Sequence, residues 1–263
     1  MKILKNKLTE ILQRESPGFM MHTVAGYPDM ESSRLIADTI MNAGADILEV
    51  QIPFSDPVAD GPVIAQANEA ALRAGATIRD SLTMIGKLTH NAEKPVVIMT
   101  YFNIIHRYGI EAFCRDVRKM GVQGLIIPDY PSDEDPGNGL IANCEKQDLA
   151  FIQVVASTTK DGRLKQIVSQ ASGFIYATAR TGITGEKTII NPETLTYLKN
   201  IRSHSDLPLA VGFGLSEKTQ VKALQSHADI MIVGSALIKT YMNMPLEQGL
   251  DAIQVFIHEL ISS

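Results

Sequence analysis

Residues 45–62 read ADILEVQIPFSDPVADGP, and this stretch decides the fold. It begins as one mostly apolar strand from Ala45 to Ile52. It then breaks into a loop, because three prolines and a glycine prevent both helix and sheet. Glu49 lies within the strand pattern, where glutamate is disfavoured, and Asp56 and Asp60 lie in the loop. A carboxylate at the end of a buried strand is costly unless it has a partner or a chemical role, although the Ser-Asp-Pro sequence around Asp56 is equally typical of a turn.

Eight short apolar runs alternate with longer amphipathic runs along the chain. The predicted strands are Phe19–Ala25, Ala45–Ile52, Pro95–Tyr101, Gly124–Pro128, Phe151–Val155, Phe174–Thr178, Leu207–Val211 and Ile230–Val233. The predicted helices are 3–14, 29–42, 63–73, 77–90, 110–120, the second half of 133–147, 160–169, 192–201, 217–225 and 245–261. This alternation predicts parallel strands joined by crossover helices, and eight such units can close into a barrel of about 250 residues.

An open doubly wound sheet is the alternative architecture. The Gly-x-Gly-x-x-Gly motif that it would carry after the first strand is missing. No linker, low-complexity stretch or second domain interrupts the pattern. We therefore predict the α/β class, as one single-domain (β/α)8 TIM barrel over residues 1–263 with an extra N-terminal helix.

The composition argues against several classes of protein. Lys and Arg number 24 against 29 Asp and Glu, a net charge of −5 without any basic block, so nucleic acid is not an expected partner. No run approaches the ~18 apolar residues of a membrane span, and the N-terminus is too polar for a secretory signal. Cys114 and Cys144 have no Cys or His at metal-ligand spacing. We therefore expect no metal site and two reduced, buried thiols in a cytoplasmic protein.

Glycines follow three consecutive predicted strands, at the end of the barrel where active sites lie. These are Gly182 and Gly185 after the sixth strand, Gly214 after the seventh, and Gly234 with Ser235 after the eighth. Glycine lets a ligand approach the backbone, and a helix beginning at Gly234-Ser235 would expose unpaired N–H groups, so the set predicts a phosphate site. Each glycine alone is equally typical of a tight turn. We interpret residues 181–188 as a lid over the ligand, with an idle surface loop as the alternative.

The acidic loop resembles the motif of a known family. After Glu49 it reads Pro53-Phe54-Ser55-Asp56-Pro57-x-Ala59-Asp60-Gly61-Pro62, which is similar to the tryptophan synthase alpha chain. Further motifs of that family occur in its order and spacing: Gly26-Tyr27-Pro28-Asp29, Arg107-Tyr108-Gly109, Pro128-Asp129-Tyr130-Pro131, Thr184-Gly185, Gly212-Phe213-Gly214 and Gly234-Ser235-Ala236. The resemblance covers the whole chain, and the acidic loop would be specific even without the other motifs.

The resemblance implies a lyase that cleaves indole-3-glycerol phosphate to indole and glyceraldehyde 3-phosphate by a retro-aldol reaction, without metal or cofactor. By family position, Glu49 would be the catalytic general acid–base, and Asp60 would hold the indole N–H. The substrate-binding positions would be Ile64, Tyr176, Thr184, Gly185, Phe213, Gly214, Ile232, Gly234 and Ser235. The apolar members of this set are equally typical of barrel core.

The resemblance also implies a protein partner. Members of the family work with a beta chain, which carries pyridoxal phosphate and converts indole and serine to tryptophan, in an α2β2 complex. Asp56, Pro57 and the loop around Asn103 would lie on the rim that faces the beta chain.

Two positions depart from the family pattern. Gln51 stands where the family usually has Gly, on the same side of the strand as Glu49, so it could hydrogen-bond Glu49 or crowd the pocket. His22 stands where the family usually has Phe or Tyr, and it could lie in the indole pocket or be a hydrogen-bonded core histidine.

Three alternative functions stay open at this point. Another phosphate-binding barrel enzyme of the same pathway, such as indole-glycerol phosphate synthase or an isomerase, would require a catalytic Lys or a different arrangement of carboxylates, and no Lys lies at the predicted strand ends. A non-catalytic regulatory subunit could bind the phosphate ligand, but it would not need both Glu49 and Asp60. A free-standing lyase would release indole without a beta chain.

Overall fold

The computed structural model describes residues 1–90, 92–132, 135, 139–178 and 190–262. Within these ranges eight parallel strands form a closed barrel in chain order, with the last strand paired to the first. The strands are β1 Gly18–Val24, β2 Ile47–Gln51, β3 Val96–Met99, β4 Gly124–Ile126, β5 Ala150–Ala156, β6 Ile175–Thr178, β7 Leu209–Gly212 and β8 Ile230–Val233. The helices are α1 Lys2–Leu12, α2 Met30–Asn42, α3 Pro62–Arg73, α4 Ile78–His90, α5 Phe102–Tyr108, α6 Ile110–Lys119, α7 Leu140–Lys146, α8 Asp161–Ser169, α9 Pro192–Arg202, α10 Lys218–Leu224, α11 Ser235–Tyr241 and α12 Leu246–Ile261.

The predicted (β/α)8 barrel is confirmed, and its closure excludes the open doubly wound sheet. All eight predicted strands are present with ends shifted by two residues at most, and β8 has the predicted bounds. Helix α5 is absent from the prediction, which interpreted the residues around Asn103 as a loop after the third strand. It buries Ile104 and Ile105, and Gly109 ends it with a φ of 95°, which glycine adopts readily.

Strand alternation divides the apolar side chains into two layers. Inward-facing residues pack in the barrel interior, and the alternate residues pack against the surrounding helices. Leu4, Leu8 and Ile11 of α1 belong to the inner layer, so the predicted extra helix closes the end of the barrel at which the strands begin. Gly18 permits this contact, since a Cβ there would lie 2.5 Å from Ile11 Cδ1.

Truncating this plug should destabilise the barrel. Leu4 is 0% exposed, so Leu4→Ala should lower the free energy of unfolding by about 2–5 kcal/mol, through lost burial and the cavity left behind. The matched control is Leu12→Ala on the same helix, where the side chain is 53% exposed and the change should stay within about 0.5 kcal/mol. Urea unfolding measures both, and equal effects of the two substitutions would contradict the plug.

Candidate active site

Strand β2 carries Glu49 and Gln51 on the inner face of the barrel. Ile47, two residues earlier, belongs to the inner apolar layer, and side chains two apart on a strand share a face. Glu49 is 1% exposed and Gln51 is fully buried. The loop of residues 52–61 then turns back so that Asp60 contacts Gln51. The two acids that the sequence singles out therefore lie close together at the end of β2.

His22 lies directly beside Glu49, since the register of β1 and β2 pairs these two residues. The imidazole Nδ1 is 3.3 Å from Glu49 Oε2, an ion-pair distance without hydrogen-bond alignment. Burial alone would lower the pKa of His22, but the charge and hydrogen-bonding capacity of Glu49, and then the charge of Asp60, outweigh it and raise that pKa. The imidazole Nε2 has no hydrogen-bond partner among the described residues. His22 is therefore a buried but incompletely bonded histidine beside Glu49, unlike the hydrogen-bonded core histidine that the sequence left open.

Gln51 binds Asp60 rather than Glu49. Its amide Nε2 donates to Asp60 Oδ2 over 2.7 Å and, more weakly, to Asn68 Oδ1 over 3.4 Å. The expected contact with Glu49 is therefore replaced by one with the loop acid. Asn68 of α3 also donates to Asp60 Oδ2, at 3.4 Å, and its Oδ1 accepts from the backbone N–H of Phe54. Sequence reasoning missed Asn68, although an amide between Ala67 and Ala71 on the buried side of a helix was an available signal.

The environment of Asp60 acts on its pKa in two opposite directions, and the net effect is an increase. Burial raises the pKa of this carboxyl, while the hydrogen bond from Gln51, the charge of His22 and a hydrogen bond with Tyr101 oppose the increase. Tyr101 is fully buried, its ring stacks on Phe54 with 5.1 Å between centroids, and its hydroxyl accepts from the backbone N–H of Ala59 over 3.1 Å. Tyr101 thereby anchors the loop that carries Asp60.

Tyr176 of β6 approaches the carboxylates from another part of the barrel. Burial raises the pKa of its hydroxyl well above the usual value, and the charges of Glu49 and Asp60 raise it further. Gly212 of β7 leaves room for the ring, since a Cβ there would lie 2.6 Å from Tyr176 Cε2. Tyr176 is therefore a neutral phenol within electrostatic reach of both acids.

Ile64 and His22 both lie beside Gly234. A Cβ at Gly234 would be 3.5 Å from Ile64 Cδ1 and 3.6 Å from His22 Cβ, an ordinary contact distance. Ile232 is buried in the inner layer two residues before Gly234, and Ser235 is the half-buried first residue of α11. Four of the predicted substrate positions thus cluster at the ends of β8 and α3, beside His22.

The remaining predicted substrate positions are more dispersed. Gly214 is exposed and has a φ of 66°, a conformation that favours glycine. Phe213 is buried in the outer apolar layer, among the residues that face the helices. Thr184, Gly185 and the predicted lid of residues 181–188 lie outside the described residues.

The predicted partner-facing positions lie on the surface, in the segments that follow β2 and β3. Asp56 and Asn103 are exposed, and Pro57 is half-buried. Val58, between the acids of the loop, is 71% exposed. Ser55 Oγ donates to Asp56 Oδ2 over 2.6 Å, so Asp56 is held locally and does not join Asp60.

Cys114 and Cys144 are buried and free, with their sulfurs 4.0 Å apart, which confirms the prediction of two buried thiols. Among the described residues no group of three or more His, Cys, Asp or Glu side chains could hold a metal ion. None of the helices in the same ranges is long and apolar enough to cross a membrane.

The structure is a closed parallel barrel with two carboxylates at the carboxyl end of a strand. Because barrels carry their active sites at this end, this arrangement is typical of a (β/α)8-barrel enzyme that uses acid–base chemistry. A profile of the tryptophan synthase alpha chain matches residues 8–260. The chain belongs to the tryptophan synthase alpha chain family.

Individual relatives agree with the profile. The tryptophan synthase alpha chain of Desulforapulum autotrophicum is 38% identical over 241 residues, which cover 92% of this chain and 93% of the relative. That of Syntrophotalea carbinolica is 36% identical over 258 residues, 98% of this chain and all of the relative. Among solved structures, a chain of tryptophan synthase from Mycobacterium tuberculosis superposes with a TM-score of 0.89 at 34% identity, covering 98% of this chain and 96% of that one.

Membership decides between the lyase and two of the three alternatives that the sequence left open. The chain is an alpha subunit enzyme of tryptophan biosynthesis, and its reaction is the cleavage of indole-3-glycerol phosphate. The other barrel enzymes of the pathway and the non-catalytic regulator are thereby set aside. The family also implies a beta-chain partner, and it is consistent with a chain that has no cofactor of its own.

Removing the amide of Gln51 should move the titration of Asp60. The hydrogen bond from Gln51 favours the ionised carboxylate, so Gln51→Met should raise the pKa of Asp60 further above its ordinary value and shift its midpoint to higher pH. Titration of the side-chain carboxyl ¹³C shift measures this, with Asp60→Asn to assign the signal. A midpoint that stays in place or falls in Gln51→Met would contradict the assigned hydrogen bond.

Proposed function

We propose that Glu49 is the general acid–base of the cleavage and that Asp60 stabilises the charge that develops on the indole nitrogen. Protonation of indole C3 turns the ring into an electron acceptor. Loss of the proton from the adjacent glycerol hydroxyl then forms the aldehyde as the bond from that carbon to C3 breaks, and indole leaves. Glu49 can donate the first proton and accept the second, so that one carboxyl serves both transfers and is regenerated.

The observation that carries the proposal is the position of Glu49, 1% exposed on the inner face at the carboxyl end of β2 and close to Asp60. A carboxylate buried there has no evident structural task, because Oε2 has no aligned hydrogen-bond partner among the described residues. Asp60 is held by Gln51, Asn68 and Tyr101, which supports a fixed anion aimed at a ligand. Tyr176, Ile64 and Ile232 would contact the flat indole ring, whereas Phe213 faces the helices and would support the site from behind.

The phosphate of the substrate would bind near Gly214, Gly234 and Ser235, with Thr184 and Gly185 added from the loop of residues 181–188. The family's positions and the juxtaposition of Gly234 with Ile64 and His22 support this placement. Binding energy from the phosphate, remote from the breaking bond, would position C3 against Glu49.

For the assembly we propose an α2β2 complex, in which Asp56, Pro57 and the loop around Asn103 face the beta chain and pyridoxal phosphate resides on that chain alone. The exposure of Asp56 and Asn103 leaves these positions accessible to a partner. We further propose that residues 1–263 form one domain and that it works in the cytoplasm, where two free buried thiols are usual.

Replacing the acid–base should abolish turnover without abolishing binding. Glu49→Gln should reduce kcat by roughly 10²–10⁴-fold and change KM little, because the amide can fill the site but cannot exchange a proton. Indole release from indole-3-glycerol phosphate is followed by fluorescence, with little background because the chain has no tryptophan. Unchanged turnover in Glu49→Gln would overturn the assignment.

The same assay is run with and without a beta chain. Slow release that the beta chain accelerates supports the complex, and fast release by the chain alone would show a free-standing lyase. The thermal midpoint of Glu49→Gln is recorded as a control on folding.

Filling the space at Gly234 should weaken substrate binding rather than folding. A Cβ there makes only ordinary contacts, so Gly234→Ala should fold normally while its methyl group occupies ligand space and raises KM several-fold. Gly162→Ala is the matched control, because a Cβ at that exposed helical glycine meets no atom within 4 Å. Competition by glycerol 3-phosphate and by indole then tells a phosphate site from the indole pocket. An unchanged KM would leave Gly234 as a structural turn.

A further inference from the structure

We propose that His22 is a positioning residue for Glu49. His22 holds the Glu49 carboxylate by an ion pair and stores the proton that Glu49 delivers. The proposal rests on the proposed role of Glu49 and deepens it. It assigns to this chain a two-residue acid–base unit that Phe or Tyr at the same position could not form, since Phe has no titratable group and the Tyr hydroxyl does not titrate near neutral pH.

The geometry of the pair supports this role. Directly paired residues of β1 and β2 carry the two groups, with Nδ1 and Oε2 3.3 Å apart, and the two residues are only 4% and 1% exposed. Within the described parts of the chain, His22 is the only cationic side chain within ion-pair distance of Glu49. A lone buried carboxylate would be strongly disfavoured, whereas an imidazolium beside it makes the pair neutral.

The charges around the imidazole retain its proton. Glu49 faces it from β2, Asp60 from the loop of residues 52–61, and Gln51 adds a neutral polar group. Tyr176 on β6 stays a neutral phenol, because burial and the two acids raise its pKa. Gly234, which directly follows β8, lies beside the imidazole and is uncharged. Two carboxyls and no second cation thus surround His22 among the described residues, so its pKa is raised despite burial.

The free nitrogen places His22 at the site rather than in the core. Nε2 has no partner among the described residues, and the ring lies against Gly234, one of the proposed substrate positions. A structural histidine would normally have both nitrogens bonded when buried this deeply.

The proton transfers balance. A turn of the imidazole ring aligns Nδ1–H with Glu49 Oε2 across the 3.3 Å between them, the proton passes from His22 to Glu49, and Glu49 then delivers it to indole C3. The hydroxyl proton released when the carbon–carbon bond breaks returns to Glu49 and then to His22. The pair ends with the proton with which it began, so no co-reactant is consumed.

The test uses His22→Phe, His22→Gln and the exposed-site control His258→Gln, each assembled with the beta chain. With His22 present, the basic limb of the kcat profile reflects loss of the stored proton. In both His22 variants no imidazole supplies that proton, so the basic limb set by His22 should be lost from the profile, kcat should fall about tenfold or more, and KM should change little. His258→Gln should match the parent chain.

A second readout does not depend on activity. The pKa of His22, followed by imidazole NMR, should fall in Glu49→Gln, because the negative partner is gone while burial remains. If the limbs of the pH profile stay in place in the His22 variants, or the pKa of His22 does not fall in Glu49→Gln, the inference is overturned. If instead Glu49→Gln retains turnover, the proposed function fails, which is a separate outcome.

Discussion

Glu49 is buried inside the barrel, and the arrangement of the site follows from the ion pair with His22 that compensates this burial. A carboxylate that is removed from water must be compensated nearby, and breaking a buried charge pair typically costs about 3–5 kcal/mol. Here the neighbouring strand supplies His22 at 3.3 Å. The loop after β2 adds a second carboxylate, Asp60, which is compensated by the amides of Gln51 and Asn68. Each acid therefore has its own neutralising or donating partner, and the two can work at different protonation states.

Glycines leave the space that neighbouring side chains need around the site and at the other end of the barrel. The inner face of the barrel has little room, and a side chain at Gly212 would collide with the ring of Tyr176. At the opposite end of the strands, Gly18 admits Ile11 of α1, which closes the floor of the barrel. The barrel is thus filled from one end by apolar side chains and left polar at the other, as expected when the site lies at the carboxyl ends of the strands.

The two polar residues beside the acids, His22 and Gln51, share one consequence. His22 and Gln51 both introduce polar groups into the lining of the site, and each contacts one of the two acids. Each also retains one atom without a partner among the described residues, His22 Nε2 and Gln51 Oε1. A ligand in the site can therefore meet two hydrogen-bonding atoms besides the two acids.

The alternation of strands and helices, the closing N-terminal helix and the acids at the end of β2 could all be predicted from the sequence. Hydrophobic periodicity and proline placement are local properties, readable without a structure. The short helix α5 was missed, because the residues around Asn103 were interpreted as a loop. Which side chains meet became evident only in the folded barrel. His22 joins Glu49 through the register of β1 and β2, and Asn68 joins Asp60 because α3 packs against the loop. Pairing across strands and loops depends on closure of the whole barrel, and no local pattern encodes it.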